Sequence, residues 1–422
     1  MTRQYVMRMC GIDFGHVAIL CLLASVHFPS AASAAAPEFT AIAADGARGL
    51  GRIIDLSDKD GLSLDGDKAF HVKSGELIEL RRVGAALPAL PVGQQLLLGS
   101  GDRIGLEALS EVKLKGDKLQ VVPAFGNGKL TLPLSSVALF WKAPAQGTVH
   151  PERVRIEMAA GIRKRDNVLL TNGDTLEGLI EGWDETDKDK GLKIQVDRQR
   201  ISLPPSKLAA VAFSTEGQGA TAPSKPFMRV VLASGSRLSL TEVTCDRDRL
   251  TGKTSFGTEV HLPVEEFVAI TVHRERAVYL SDMKPTTTEE TPFLSGATGG
   301  LRVDRSTEGD ELTVGGNCYD KGLGTRSGMR ITYALDAKYQ RFETIVGLDD
   351  RSGREGRVRV RILVDGKERA IPALEKQLKW RPAGVDVTID VKGAKELTLV
   401  VEAGSGGPVD DALDWCNARL VR

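Results

Sequence analysis

Histidine is the side chain whose unperturbed pKa lies nearest neutrality, so its spacing is the first test for acid–base or zinc chemistry. Beyond residue 36 the sequence contains His71, His150, His261 and His273. None of them forms an H-E-x-x-H or H-x-H pattern, and residues 285–422 contain no histidine. The sequence therefore excludes a histidine-based zinc site and a Ser-His-Asp triad from the C-terminal third.

Paired carboxylates are the remaining route to catalysis, because glycoside hydrolysis needs an acid and a second carboxylate at a set separation. The C-terminal third has acidic clusters at Asp349-Asp350 and at Asp410-Asp411 with Asp414. Adjacent strand residues point to opposite faces, which disfavours an acid–base couple. Three uses stay open for these side chains: turn capping, a structural calcium ion on Asp410 and Asp411, or ligand contact. Apart from that calcium, no cofactor is expected.

The C-terminal third also carries an ordered set of longer phrases. They are Lys321-Gly-Leu-Gly-Thr325, Tyr339-Gln-Arg-Phe-Glu-Thr-Ile-Val-Gly-Leu-Asp-Asp350, Val358-Arg-Val-Arg-Ile-Leu-Val-Asp-Gly-Lys367 and Asp414-Trp-Cys-Asn-Ala-Arg-Leu420. Their order resembles the NPCBM/NEW2 family of carbohydrate-binding modules. The resemblance implies a galactose-binding-like jelly roll that binds sugar with loops at one end. Arg326 stands where family members commonly have His, which leaves the exact ligand open.

A sugar site needs an aromatic face for the apolar side of the ring and planar polar groups for its hydroxyls. Trp380, between Lys379 and Arg381 at a predicted strand end, is the expected platform, whereas Trp415 is expected in the core. Gly322 and Gly324 are expected to serve backbone geometry. The predicted ligand-binding residues are Asn317, Tyr319, Arg326, Asp349, Asp350 and Trp380.

The elements that must position these residues are predicted to be strands. Apolar residues recur at every second position in segments such as 129–134 and 357–364, and the chain has 45 glycines. Alternation of this kind places one face of a strand on a core and the other in water. The predicted fold class is all-β: repeated small antiparallel β modules followed by a C-terminal galactose-binding-like jelly-roll β-sandwich.

The middle of the chain repeats a strand–turn–strand phrase, and each copy is followed 32–36 residues later by a Leu-Pro phrase. The opening phrases are 96–104, 168–176 and 230–238, and the closing phrases are 132–139, 203–211 and 262–270. A weaker first copy spans 44–81. Units of about 60–70 residues are typical of small modules that bury surface against their neighbours. Whether they are separate barrels or one continuous structure stays open.

The predicted organisation follows from these phrases and from shifts in composition. Its segments are 1–36, a signal peptide; 37–143, the first β module or modules; 150–214 and 226–282, two further small β modules; 283–292, a Pro- and Thr-rich linker; and 293–422, the carbohydrate-binding β-sandwich.

The N-terminus predicts export. Arg3 and Arg8 precede the apolar run 17–26, and small residues follow from Ser30 to Ala36. This order is that of a secretory signal, and a run of ten residues is short of the roughly 20 that a spanning helix needs. An uncleaved anchor is the alternative. The expected localisation is secreted (periplasm, cell envelope or extracellular), with no membrane span after cleavage.

Charge disfavours nucleic acid as a partner. The chain has 56 basic and 56 acidic residues, and removing residues 1–36 takes away two Arg and one Asp, which leaves 54 against 55. A net charge of −1 provides no long-range attraction for a phosphate backbone.

Cysteine usage leaves one disulfide open. Cys245, Cys318 and Cys416 remain beyond the signal, in an oxidising compartment. Cys318 and Cys416 are a disulfide candidate because they lie near the two ends of one predicted sandwich; two separate thiols are the alternative.

These observations favour a secreted, non-catalytic carbohydrate-binding protein, in which the β-repeat region presents the C-terminal module to a glycan or polysaccharide. The alternative is a cell-surface scaffold whose modules bind other proteins. A glycoside hydrolase accessory or cryptic glycosidase is the third hypothesis.

Overall fold

A computed structural model describes residues 36–107, 112–126, 128–184, 191–216, 222–291, 300–380 and 383–422. Residues Ala36–Arg422 form one compact unit. Strands dominate the described residues and pair antiparallel throughout, so the predicted all-β fold class is confirmed. Within these ranges, no helix combines the length and the apolar character needed to cross a membrane. The predicted signal peptide lies outside the described residues, apart from residue 36.

The first 21 strands form four modules that share one order of strands. Module 1 (39–82) contains β1 Phe39–Ala43, β2 Arg48–Ser57, β3 Gly61–Asp65, β4 Phe70–Val72 and β5 Leu77–Arg82. Module 2 (95–141) contains β6 Gln95–Leu98, β7 Arg103–Gly105, β8 Lys113–Lys115, β9 Lys118–Val121, β10 Leu130–Pro133 and β11 Val137–Trp141. Module 3 (166–212) contains β12 Asp166–Leu170, β13 Thr175–Asp184, β14 Gly191–Val196, β15 Gln199–Leu203 and β16 Leu208–Ala212. Module 4 (227–273) contains β17 Phe227–Leu232, β18 Arg237–Cys245, β19 Arg249–Thr254, β20 Glu259–Pro263 and β21 Phe267–His273.

In every module the first strand pairs with both the second and the last strand. Meanders are formed by β2–β3–β4, β8–β9–β10, β13–β14–β15 and β18–β19–β20. A Leu-Pro phrase lies at the end of the penultimate strand of modules 2, 3 and 4, where a short 3-10 helix follows because proline cannot donate to the ladder. These helices are Leu134–Ser136, Pro205–Lys207 and Val264–Glu266.

Strands also pair between modules. The last strands of modules 2 and 3 pair through β11 and β16, and those of modules 1 and 4 through β5 and β21. One hydrophobic cluster contains buried side chains from all four modules, including Phe39, Phe140, Trp183 and Phe267. The four modules therefore share one continuous hydrophobic core.

Helix α1, Pro151–Ala159, connects modules 2 and 3. Proline at the first helical position and Glu152 in the first turn both suit a helix N-terminus. Val154 and Met158 pack on the buried Trp141. The predicted module 150–214 thus opens with a helix that its sequence pattern did not reveal.

The remaining strands form the C-terminal sandwich, whose two six-stranded sheets are joined by one core. They are β22 Ala277–Tyr279, β23 Thr287–Glu290, β24 Arg302–Val303, β25 Leu312–Val314, β26 Asn317–Tyr319, β27 Gly322–Thr325, β28 Met329–Ala334, β29 Arg341–Leu348, β30 Arg357–Val364, β31 Lys367–Glu368, β32 Leu378–Lys379, β33 Val385–Asp390, β34 Glu396–Ala403 and β35 Leu413–Val421. One sheet has the order β24-β27-β35-β29-β33, with β22 on β35; the other has β23-β28-β34-β30-β31, with β32 on β30. Short 3-10 helices span Leu280–Asp282 and Pro372–Leu374.

The sandwich begins earlier than its sequence predicted. β22 pairs with the last strand β35, and β23 pairs with β28. The segment 283–292 was predicted to be a linker, but its residues Thr287–Glu290 form a strand, so that prediction is wrong there. The polar Thr and Glu side chains of β23 are all exposed, which explains why the segment resembles a linker.

The predicted disulfide is also absent, because Cys245, Cys318 and Cys416 are all free thiols. Within the β25–β26 hairpin, Cys318 stands opposite Thr313, whereas Tyr319 stands opposite Leu312 on the other face. It is Tyr319 that packs with Cys416. Burial raises the pKa of the Cys416 thiol well above its ordinary value.

Ion pairs hold the sandwich on the modules. The Arg237 guanidinium of module 4 donates to Asp320 at 2.9–3.1 Å, and Arg419 of β35 donates to Glu79 of module 1 at 3.1 Å. Glu152 of helix α1 accepts from Arg305 of the sandwich at 3.1 Å. These side chains are largely buried, so the contact is a fixed interface.

Candidate functional site

The candidate site lies where β27 and β29 end and β35 begins. Thr325 and Leu348 both stand opposite Leu413 in the ladder. We call this region the loop end; it comprises the loops 326–328, 349–356 and 404–412, the hairpin β25–β26 and Trp380. Buried Trp415 donates to the hydroxyl of Thr325 at 3.1 Å and anchors the strands below it. Its placement in the core confirms the sequence expectation.

Asp350 organises one side of the loop end. Its carboxylate accepts from the backbone N–H of Gly315 at 3.0 Å and of Gly316 at 2.7 Å. The same carboxylate accepts from the indole Nε1 of Trp380 at 3.2 Å. One side chain therefore fixes both the hairpin turn and the indole ring.

Trp380 is half-buried and packs partly on the sandwich core. The Arg354 guanidinium lies 4.5 Å from the centre of the ring, which is cation–π geometry. Asn317 lies on the neighbouring hairpin and donates to Gly315 O at 3.2 Å. The structure thus brings Asn317, Asp350 and Trp380 together and adds Arg354, which the sequence analysis did not select. A Gly353-Arg-Glu-Gly356 loop directly after the Asp349-Asp350 phrase was the available signal.

The β25–β26 hairpin packs closely against two glycines, Gly347 and Gly384. A Cβ at Gly347 would lie 2.3 Å from Val314 Cγ1, and one at Gly384 would lie 3.0 Å from the same atom. The Val-Gly-Leu-Asp-Asp phrase therefore needs its glycine so that the hairpin can approach strand β29.

We expect Gly347→Ala to lower the free energy of unfolding by about 1–3 kcal/mol, because the added methyl group must displace Val314. The shift also moves the Gly315 and Gly316 amides away from Asp350, so Trp380 fluorescence should change. Gly182→Ala is the control, since its Cβ would meet nothing within 4 Å. Equal urea midpoints for the two variants would contradict the prediction.

A buried acid pair lies beneath the same hairpin. Asp349 and Asp414 are 2 % and 0 % exposed. Asp414 accepts from Thr313 N at 3.1 Å, and Asp349 accepts from Arg351 N at 2.7 Å. Burial, followed by the neighbouring Asp349 carboxylate, raises the pKa of Asp414 well above its usual range. The two carboxyl groups interact directly, and the pKa of Asp349 is also raised, chiefly by burial.

Arg326 belongs to the loop end but contacts a different group. Its guanidinium pairs with Glu308. The next residue, Ser327, donates through its backbone N–H to Asp411 at 3.2 Å, and its hydroxyl donates to the same carboxylate. Arg326 and Trp380 thus belong to separate hydrogen-bonded groups.

The calcium prediction rests on Asp410 and Asp411. Asp410 lies against the backbone of Gly353, where a Cβ would fall 1.7 Å from its carboxylate oxygen. Asp411 is held by Ser327. In the part of the chain described, no three or more His, Cys, Asp or Glu side chains form a group suited to a metal ion. A calcium ion stays a prediction.

Tyr319 belongs to the hairpin of the loop end, but its side chain is not at the surface. It is 6 % exposed and packs with Leu312, Val314 and Cys416. Burial raises the pKa of its phenol. Tyr319 pairs with buried Leu312, two residues further from the turn than Asn317, so it lies on the core side of the hairpin. Asp349 is likewise buried, so two of the six predicted ligand-binding residues lie below the surface.

Comparison with known proteins identifies the sandwich. Residues 276–421 match the NPCBM/NEW2 domain, and this match confirms the resemblance read from the sequence. Its first residue falls one before β22, in agreement with the structural boundary.

Individual relatives are distant. A protein of Renibacterium salmoninarum named "Putative endo-alpha-N-acetylgalactosaminidase" is 27% identical over 114 residues, which are 27% of this chain and 7% of that protein. The chain therefore spans a small part of this curated relative. CBM51 from Clostridium perfringens GH95, solved in complex with methyl-galactose, is 25% identical and covers 34% of this chain and 99% of its own, with a TM-score of 0.31. Tandem CBM51 modules of a Streptococcus pneumoniae family 98 glycoside hydrolase are 14% identical and cover 74% of this chain and 88% of their own, with a TM-score of 0.31.

Proposed function

We propose that this protein is a secreted, non-catalytic glycan-binding protein whose loop end recognises a saccharide. The observation that carries the proposal is the Trp380 group: an indole beside a carboxylate, a guanidinium and a side-chain amide, on loops held by a rigid sandwich. An aromatic ring offers a face to the apolar side of a sugar, while Arg354 and Asn317 offer planar hydrogen-bonding groups to its hydroxyls.

The family match supports the same ligand class, since residues 276–421 match a carbohydrate-binding module. The relative from Renibacterium salmoninarum is named for an activity on glycans. The non-catalytic part of the proposal is supported by the acid pair: Asp349 and Asp414 are buried and bonded to each other, so they are not placed to act on a bound sugar. Secretion rests on the N-terminal signal pattern.

The test is a glycan-array screen of the chain lacking residues 1–36, with calcium and with chelator. We expect saturable binding that Trp380→Ala weakens by about tenfold or more, because loss of a stacking ring removes roughly 1–3 kcal/mol. Arg326→Ala tests whether the part of the loop end that contains Arg326 and Glu308 contributes to glycan binding.

Lys367→Ala is the matched control, because Lys367 is the exposed first residue of β31 and pairs with Val364, at the other end of β30 from Arg357. It should bind as the unmodified protein does. Absence of binding to every glycan by a folded protein would overturn the proposal and favour the protein-binding scaffold.

A further inference from the structure

A second recess lies outside the loop end, between the modules and the sandwich. This central cleft has a volume of about 650 Å³. Modules 1, 2 and 4 supply one wall, which includes Arg81, Arg103 and Thr271; the sandwich supplies the other, which includes Arg305 and Asp320. Exposed Arg274 and Arg422 place its rim at the surface. Clefts of 300–1,000 Å³ are the ordinary size for small-molecule sites.

The described residues that line the cleft include eight arginine or lysine and six aspartate or glutamate side chains. Several of the acids are already paired. Asp320 accepts from Arg237, and both Asp282 and Asp304 accept from Lys321 at 2.7 Å. The cations are paired as well, since Arg103 and Arg305 pair with Glu152 and Arg229 pairs with Asp102. The described lining residues themselves still have an excess of cations, eight against six.

Three arginine side chains, those of Arg81, Arg274 and Arg305, have guanidinium N–H groups available to a ligand. The side chains of Arg81 and Arg305 are 30 % and 20 % exposed, so their guanidinium groups are partly accessible. The Nη atoms of Arg305 donate to Asp304 O and to Glu152, and each has a second N–H. The carboxylate nearest to Arg81 is that of Glu79 at 3.7 Å, and Arg419 already donates to Glu79 at 3.1 Å. Arg274, at the rim, has a left-handed φ of 65°, a conformation that costs a non-glycine residue energy and recurs at ligand sites.

One buried group responds to the cations of the cleft. The pKa of His273 lies well below its ordinary value because of burial and then because of the nearby Arg229 and Lys321. An anion bound in the cleft would offset the effect of these two cations on His273.

An apolar wall faces these cations. The Phe227 ring stacks on His273 with centroids 4.9 Å apart, and His273 lies 5.3 Å from Tyr279. His273 Nε2 is 3.0 Å from the Thr271 hydroxyl. A cleft with arginines and an aromatic wall suits a ring that bears both hydroxyls and a carboxylate.

We propose that the central cleft binds an acidic saccharide of one or two rings, with its carboxylate on Arg81, Arg274 and Arg305. This site is separate from the loop end and does not depend on the function proposed there. A neutral sugar offers these guanidinium groups hydroxyl acceptors but no negative charge, so we expect the cleft to favour the acidic sugar.

The experiment is titration calorimetry of the chain lacking residues 1–36 with a uronic-acid disaccharide, the neutral disaccharide of the same linkage, and inorganic phosphate. We expect one uronic-acid disaccharide bound per chain, and at least tenfold weaker binding of the neutral sugar and of phosphate. Arg81→Gln and the rim variant Arg274→Gln should each weaken binding of the acidic sugar by about tenfold. Thermal unfolding checks that both variants are folded.

Trp380→Ala separates this proposal from the previous one, because it removes the loop-end ring and leaves the cleft intact. Binding of the uronic-acid disaccharide should be unchanged in this variant. The cleft proposal is overturned if the folded protein ignores the acidic sugar, binds the neutral sugar or phosphate as tightly, or loses the acidic sugar in Trp380→Ala while keeping it in Arg81→Gln and Arg274→Gln.

Discussion

Replacing Arg237 with Met should lower the free energy of unfolding by about 3–5 kcal/mol, the cost of leaving one member of a buried ion pair without its partner. Arg237 is 2 % exposed and donates to the carbonyl oxygens of Pro88 and Gly235 as well as to Asp320. Burial alone raises the pKa of Asp320, but Arg237 brings it below its ordinary value. Without the guanidinium, this largely buried carboxylate, whose side chain is 26 % exposed, loses the partner that bonds it directly.

Guanidinium chloride unfolding of the chain lacking residues 1–36 measures this effect, with Arg237→Met compared with the double variant Arg237→Met/Asp320→Leu. The double variant should recover part of the loss, since it removes the unpaired carboxylate as well. A single variant within about 1 kcal/mol of the unmodified protein would show that the pair contributes little to the interface.

Replacing Asp414 with Asn should remove a loss of folding stability that grows as the pH rises. Asp414 has a raised pKa in the folded protein, so its contribution to stability is fully present below the unfolded value near 4 and is lost as the pH rises through the folded pKa. An Asn side chain keeps its oxygen for Thr313 N and gives Asp349 a permanent donor. We expect the variant to gain about 1–3 kcal/mol on the unmodified protein between pH 4 and pH 8.

The quantity to follow is the difference in unfolding free energy between Asp414→Asn and the unmodified protein. The difference is needed because Glu152, Glu343 and Asp320 have lowered pKa values, which change the stability of both proteins over the same acidic range. Asp365→Asn is a control of opposite sign. The pKa of Asp365 is lowered by the backbone N–H groups of Glu396 and Lys395, so its variant should lose stability as the pH rises. A difference independent of pH for Asp414→Asn would mean that the acid pair carries no shared proton.

The fold class was predictable because period-two alternation leaves a direct trace in sequence. Arg357–Val364 alternates and is β30, and the Gly-Asp turns separate strands as expected. The sequence analysis missed β22 and β23 as strands of the sandwich because their partners β35 and β28 are distant in sequence. For β23 no local pattern marks a strand, since its side chains are all in solvent.

The sequence predicted which side chains lie near the surface where they follow a strand end, and did not where orientation depends on tertiary contacts. Trp380 and Asp350 are at the loop end, as loop residues in a sandwich should be. The side chains of Tyr319 and Asp349 are buried. Their burial depends on the close approach of Val314 to Gly347 and on the position of Asp414 beside Asp349, and such tertiary contacts leave no local pattern.

The pairing of β5 with β21 affects how the chain acquires its structure during synthesis. Residues 77–82 leave the ribosome nearly two hundred residues before 267–273, so module 1 cannot complete its sheet until module 4 has been made. The sandwich has the same dependence, since β22 waits for β35. Contacts of such long range slow folding and favour a chain that stays unfolded until it is complete. Truncation after any module should therefore give an aggregation-prone fragment with an open strand edge.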